Sequence, residues 1–171
     1  MPTELAFVSS AFTGMAIASV LCFIILLIAI RNIIQTIISL FCVAFCITGV
    51  LSIEYMLGWE LGISESISMV VLIGFSIDFI VHLASDYMHS AHKSRHDKMK
   101  QAYEEMGVSI LSGFITTFGS GVFLAGGYLI TFNKFAVLIT ATISISFVVS
   151  IFLFGAMMHT VGPEDGFGNI C

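Results

Sequence analysis

Hydrophobic positions in this chain fall into long runs broken by short polar punctuation. Residues 5–30, 32–53, 106–133 and 135–158 carry no charged side chain. A helix rising ~1.5 Å per residue needs about 20 residues to cross a hydrocarbon layer ~30 Å thick, and each of these runs is long enough. A fifth run, ELGISESISMVVLIGFSIDFIVHLASDYM at 60–88, is apolar through its middle although Asp78 and His82 interrupt it. Backbone groups in lipid must be satisfied within the segment, and a spanning strand would be about 10 residues long with alternating polarity, so runs of this length predict helices. The pattern therefore predicts an all-α, multi-pass transmembrane bundle with five spanning helices. They cover 6–30, 32–54, 62–88, 107–131 and 135–159, form one transmembrane domain over 1–171, and leave a polar loop at 89–106.

The punctuation sets the topology. Arg31 and Asn32 alone separate the first two runs, which predicts an antiparallel hairpin with a very tight turn. Residues 54–65 form a short acidic connection in which Tyr55 and Trp59 are placed as interfacial anchors. HSAHKSRHDKMKQAYEE at 89–105 is the one sustained polar segment, and a short surface helix is expected in it, leading into the fourth span. Arg31, Lys93, Arg95, Lys98 and Lys100 fall on one side and Lys134 on the other, which makes the first side cytoplasmic. The N-terminus then faces out and the C-terminus in. The start, Met1 to Glu4, lacks the basic stretch of a signal peptide, so the first run is read as a retained span.

Composition agrees and narrows the function. The 171 residues are 58% hydrophobic and 10% charged, with a mean hydropathy of +1.06, whereas a soluble domain is about 45–50% apolar and about 25% charged. A net charge of -5 argues against a nucleic-acid partner, whose phosphates demand a basic face. Cys22, Cys42, Cys46 and Cys171 show neither metal-site nor disulfide spacing, and the first three sit in apolar runs where cysteine is a small hydrophobe. No GxSxG, HExxH or phosphate-cradling glycine loop occurs, so an enzyme is not expected.

One residue stands against the oil. A carboxylate near the bilayer centre costs about 2.5–3.5 kcal/mol on insertion scales and marks a functional site by default. Asp78 lies well inside the third span, with Gly74 four residues before it, His82 four after it, and Ser85 continuing that stripe. On the fourth span Ser109, Ser112, Gly113, Thr116 and Ser120 recur at three- and four-residue intervals. Thr117 is as far from the cytoplasmic start of its helix as Asp78 is from the cytoplasmic end of its own, which puts the two at one depth. Hydroxyls opposite a carboxylate can coordinate a cation or order a water chain. Each feature also has a plainer reading: Asp78 as a buried hydrogen-bond anchor, His82 as a packing residue, and the small-residue strip as ordinary helix packing. His92 and His96 offer two ligands on one helical face, but no third completes a zinc spacing, and a solvated loop is the reading favoured there.

GFSIDFIVH at 74–82 resembles the intramembrane GxxxD/E pattern of the resistance-nodulation-division permeases, in the tenth helix of the eukaryotic branch that includes Dispatched, Patched and Niemann-Pick-type sterol transporters. QAYEEMGVSILSGFITTFGSGVFL at 101–124 is similar to the eleventh helix of that family, and GPEDGFGNIC at 162–171 to the close of Dispatched-like chains. The resemblance covers residues 74–171 well and the first two spans mainly by position. It implies that the five helices correspond to the eighth through twelfth of a twelve-helix transporter at the plasma membrane. The partner would then be a missing N-terminal half, which contributes the remaining ion-site carboxylates, or a partner subunit. It implies an ion-gradient-coupled exporter of lipid, sterol or lipid-modified protein of the Hedgehog type, with membrane lipid or sterol as partner. Asp78 would be the coupling acid and a possible sodium ligand, with proton coupling as the other form, and Gly74, His82, Thr116 and Thr117 would line its surroundings. No other cofactor is expected. The competing expectations are a non-transporting membrane subunit or truncated family member that acts by helix packing, and a sterol-binding groove without transport.

Overall fold

The structure, a computed structural model, describes residues 2–58, 63–90, 94–127 and 130–163. The chain runs through α1 (Pro2–Ile30), α2 (Ile33–Met56), α3 (Ile63–His89), α4 (Arg95–Ala125) and α5 (Ile130–Val148), then a π-helical segment (Val149–Phe154) and α6 (Gly155–Val161). Among the described residues there is no strand, so the fold is all-α.

Among the described residues, four stretches are long and apolar enough to cross a membrane: Thr13–Ile30, Ile33–Met56, Arg95–Ala125 and Phe132–Val161. The last fuses α5, the π segment and α6 into one span. The expected count of five is therefore corrected to four on length and composition. The span expected at 62–88 forms helix α3, but Asp78, His82, Asp86 and His89 interrupt its described part, and it is not among the four. Trp59, His92 and the 164–171 motif lie outside the described residues.

The turn between α1 and α2 follows from its two residues. Arg31 takes φ 54, the left-handed conformation that reverses the chain, and Asn32 caps α2 by accepting the backbone N–H groups of Ile34 (3.1 Å) and Gln35 (3.2 Å) at its side-chain oxygen. Such a cap contributes about 1 kcal/mol by satisfying donors that the first turn leaves open. The polar connection expected at 89–106 is mostly helical. α3 runs to His89, and from Arg95 the charged segment and the fourth span form one continuous helix.

α3 touches each of the other long helices. Its inward face, Ile73, Ser76, Ile80, Leu83, Ala84 and Tyr87, is buried. α1 lays Cys22, Leu26 and Ile30 toward the core at four-residue spacing, and α2 buries Ile38, Cys42, Cys46 and Val50. Without a hydrophobic force between helices in lipid, close packing and interhelical hydrogen bonds hold the bundle. Gln35 Nε2 donates to the Ala84 carbonyl at 2.7 Å across α2 and α3, and Ser146 Oγ donates to the Ser76 carbonyl at 3.1 Å across α5 and α3. Phe147 of α5 stacks on Phe114 of α4 (centroids 4.4 Å) and meets Phe79 of α3 edge-on (6.1 Å), tying three helices together. α4 and α5 pack closely at Gly121, since a Cβ there would run into Thr140 Oγ1.

The exterior is apolar in stripes. Ile37, Phe41 and Phe45 of α2 and Leu111, Ile115 and Val122 of α4 are exposed, as are Ile17, Leu21, Ile24 and Ile28 of α1. Patches of this extent on a soluble protein would drive association, and they suit contact with acyl chains or with other membrane helices.

Candidate functional site

α3 and α4 diverge enough at mid-height to leave a cavity of about 200 Å³, lined by Phe75, Asp78, Phe79, His82, Ser109, Ile110, Gly113, Thr117 and Ile143. The aromatic packing of Phe79 against Phe147 forms its inner support. Its polar atoms come from Asp78 and His82 on α3 and from Ser109 and Thr117 on α4, so the acid and one of the paired threonines share a single space. Asp78 and His82 are both exposed at the outer side of this groove. No hydrogen bond or ion pair to Asp78 is formed among the described residues. The carboxyl thus keeps all its acceptor capacity for a cation, a water or a proton, with a hydroxyl wall across from it.

Sequence expectation and structure part company at two positions. Gly74 does not line the cavity: it is exposed, and a Cβ there would meet nothing within 4 Å. Thr116 is also exposed, with Oγ1 bonded to the Ser112 carbonyl at 2.8 Å. Neighbouring residues of a helix point about 100° apart, so Thr116 and Thr117 cannot both face α3. Of the small-residue strip, Ser109 and Gly113 line the cavity, whereas Ser112 and Ser120 behave like Thr116. Ser112 donates to the Ser109 carbonyl (2.9 Å) and Ser120 to the Thr116 carbonyl (3.0 Å), and all three donors are exposed. These hydroxyls satisfy themselves on their own helix and leave a flat surface of small groups facing outward.

One acid was not singled out from the sequence. Asp86 continues the stripe from Asp78 through His82 by another four residues, and its Oδ2 is buried without a hydrogen-bond partner among the described residues. Glu105 and His89 lie close enough to influence it electrostatically. The signal was present, since the four-residue interval that links Asp78 to His82 links His82 to Asp86.

His96, set apart at the sequence level as one half of a His92–His96 pair, meets His159 of α6, with Nδ1 and Nε2 3.3 Å apart and the rings at 90°. Arg95 Nη1 donates to the Thr160 carbonyl at 2.9 Å, and Tyr103 Oη donates to the Ile151 carbonyl in the π segment. The charged start of α4 is thereby latched to the end of the last span. Among the described residues no cluster of three or more His, Cys, Asp or Glu side chains is placed to hold a metal, and Cys22, Cys42 and Cys46 are buried free thiols.

Residues 2–167 match the MMPL family. The chain is 25% identical over 157 residues to protein dispatched homolog 1 of Mus musculus, covering 92% of this chain and 10% of that protein. It is 26% identical over 173 residues to protein dispatched homolog 3 of Homo sapiens, covering 95% and 12%, and 24% identical over 157 residues to the Niemann-Pick type C1-related protein of Toxoplasma gondii, covering 92% and 13%. The chain spans about a tenth of the length of these relatives. A helical bundle with an apolar exterior, an acid at mid-height on its central helix and a family match over nearly the whole chain lead to one statement: this is an integral membrane protein of the MMPL family, among the Dispatched/Patched-like members of the resistance-nodulation-division permeases.

Proposed function

We propose that this chain forms the C-terminal transmembrane half of an ion-gradient-coupled exporter of lipid, sterol or lipid-modified protein at the plasma membrane, in which Asp78 binds and releases the coupling ion. The observation that carries the reading is the placement of Asp78. It stands at mid-height on the helix that contacts every other long helix, exposed at a cavity that also holds His82, Ser109 and Thr117. A charge presented to acyl tails would cost about 2.5–3.5 kcal/mol, so this face calls for a polar cover. A complementary half packed on the α3–α4 groove would supply it, and the flat strip of Ser112, Thr116 and Ser120 is a surface on which another helix can approach closely. Ion binding would then draw the halves together around Asp78, and ion release would let them part.

The test is Asp78→Asn in the complete transporter, with export of a lipid-modified reporter followed while the sodium or proton gradient is collapsed. Export should fall at least about tenfold, which is about 1.4 kcal/mol of coupling, with the amount of protein in the membrane unchanged. Export that continues at the original rate and still responds to the gradient refutes the role of Asp78. A second reading, a membrane subunit that acts by packing alone, is favoured by the self-satisfied hydroxyls on α4. It makes the opposite forecast: Asp78→Asn is silent, and a bulky replacement at Ser112 or Thr116 releases the partner.

A further inference from the structure

A second cavity, about 410 Å³, lies between the first turns of α4 and the final helix α6, remote from Asp78. That is within the range of small-molecule sites. It sits where the molecule changes character: α4 carries its charges from Arg95 to Glu105 and none from 106 onward, while α6 closes the apolar span Phe132–Val161. The floor is apolar. Met99 is buried, Gly155 has no side chain, and Tyr103 has its hydroxyl engaged by the Ile151 carbonyl, so its ring remains for the cavity. The rim is polar and carries both signs. Lys100 Nζ and Glu104 Oε1 are 3.8 Å apart, with side chains 63% and 67% exposed. Such a pair is worth no more than about 1 kcal/mol and opens readily to a better partner.

His96 and His159 complete the rim, and their contact fixes what they present. With both rings neutral, the ring that donates across the 3.3 Å contact between Nδ1 and Nε2 has a bare outer nitrogen, and the ring that accepts carries its proton on the outer side. One imidazole N–H therefore always points away from the pair. The rim thus offers an imidazole N–H and an ammonium for an anionic group, and beside them a carboxylate for a cationic group.

We propose that this cavity holds a phospholipid with a primary-amine zwitterionic headgroup, of the phosphatidylethanolamine class. An acyl chain lies over Met99, Tyr103 and Gly155, the phosphate lies on Lys100 and the outward imidazole N–H, and the amine lies on Glu104. Charge complementarity selects this occupant: Glu104 opposes an anionic head, and a choline head has no N–H to give it. The assignment needs only the membrane placement of the chain and is independent of the ion-coupling role of Asp78.

The test is native mass spectrometry of the 171-residue chain released from nanodiscs containing equal amounts of phosphatidylethanolamine, phosphatidylcholine and phosphatidylglycerol. One phosphatidylethanolamine should be retained about tenfold over either competitor. That preference should be lost in Lys100→Gln/Glu104→Gln, and retention should fall in His96→Gln/His159→Gln. All four positions are exposed or at the rim, so the variants should fold, with helicity by circular dichroism as the control. Equal retention of the three lipids overturns the proposal. So does a preference that survives both double variants, or an empty protein, which would make the cavity a seam for another segment of protein.

Discussion

Replacing Gly155 by Ala should be far more damaging than a single methyl group suggests. A Cβ at this position would collide with Tyr103 Oη and come within 3.1 Å of Tyr103 Cζ. Tyr103 has nowhere to retreat without leaving the Ile151 carbonyl. Overpacking costs about 1–3 kcal/mol, and the lost interhelical hydrogen bond adds an average of about 0.6 and at most about 1.7 kcal/mol, so Gly155→Ala should destabilise by about 2–4 kcal/mol. Tyr103→Phe alone removes the hydroxyl and should cost about 0.6–1.7 kcal/mol. In the Tyr103→Phe background the collision with oxygen is gone and only the ring edge must shift, so adding Gly155→Ala should cost about 1 kcal/mol. The two changes should thus couple by about 1–3 kcal/mol, measured as reversible unfolding in mixed micelles over a complete double-mutant cycle. Additivity within about 0.5 kcal/mol would refute the claim that the glycine is there for the tyrosine.

Other expectations follow from single contacts. Asn32→Ala should lose the cap of α2 and about 1 kcal/mol, with Asn32→Asp retaining most of it, as read by thermal unfolding. Gln35→Leu should lie within about 0.5 kcal/mol of neutral, because losing the bond to Ala84 is offset by removing Oε1, which is buried without a partner among the described residues; a loss above about 2 kcal/mol would contradict this balance. Thr117→Val keeps the side-chain shape but strips a hydroxyl from the Asp78 cavity, so it should weaken ion dependence of transport, whereas Thr116→Val should leave it unchanged. Equal effects of the two would remove Thr117 from the ion site.

Much of the architecture was legible in the chain because lipid imposes one demand at a time. Charge-free runs long enough to cross give the helices, and Arg31–Asn32 between two such runs leaves room for nothing but a two-residue reversal. The shared depth of Asp78 and Thr117 could be counted from the helix ends, and both line one cavity. What could not be read was rotation. Counting residues places Thr116 and Thr117 at one depth but gives no means of choosing which of them turns toward α3, and Gly74 and His82, symmetric about Asp78 in sequence, lie on opposite sides of it around the helix axis. Nor could spacing foretell the meeting of His96 with His159, 63 residues apart, because it depends on where the last span ends relative to the start of the fourth. The status of α3 shows a related limit: its polar groups make it the least obvious span by composition, and they are also what makes it the functional candidate.

The π-helical stretch Val149–Phe154 has a consequence for inheritance. Wider than an α-turn, it accommodates surplus backbone without breaking the rod, so the last segment arrives with a phase that an unbroken α-helix would not deliver. Tightening all six residues to α geometry with none removed would rotate everything after them by about 100°. Gly155 and His159 would swing away from Tyr103 and His96, and the clasp would open. A one-codon deletion in this stretch removes the surplus residue and should keep Gly155 and His159 facing Tyr103 and His96, whereas a one-codon insertion should turn them away.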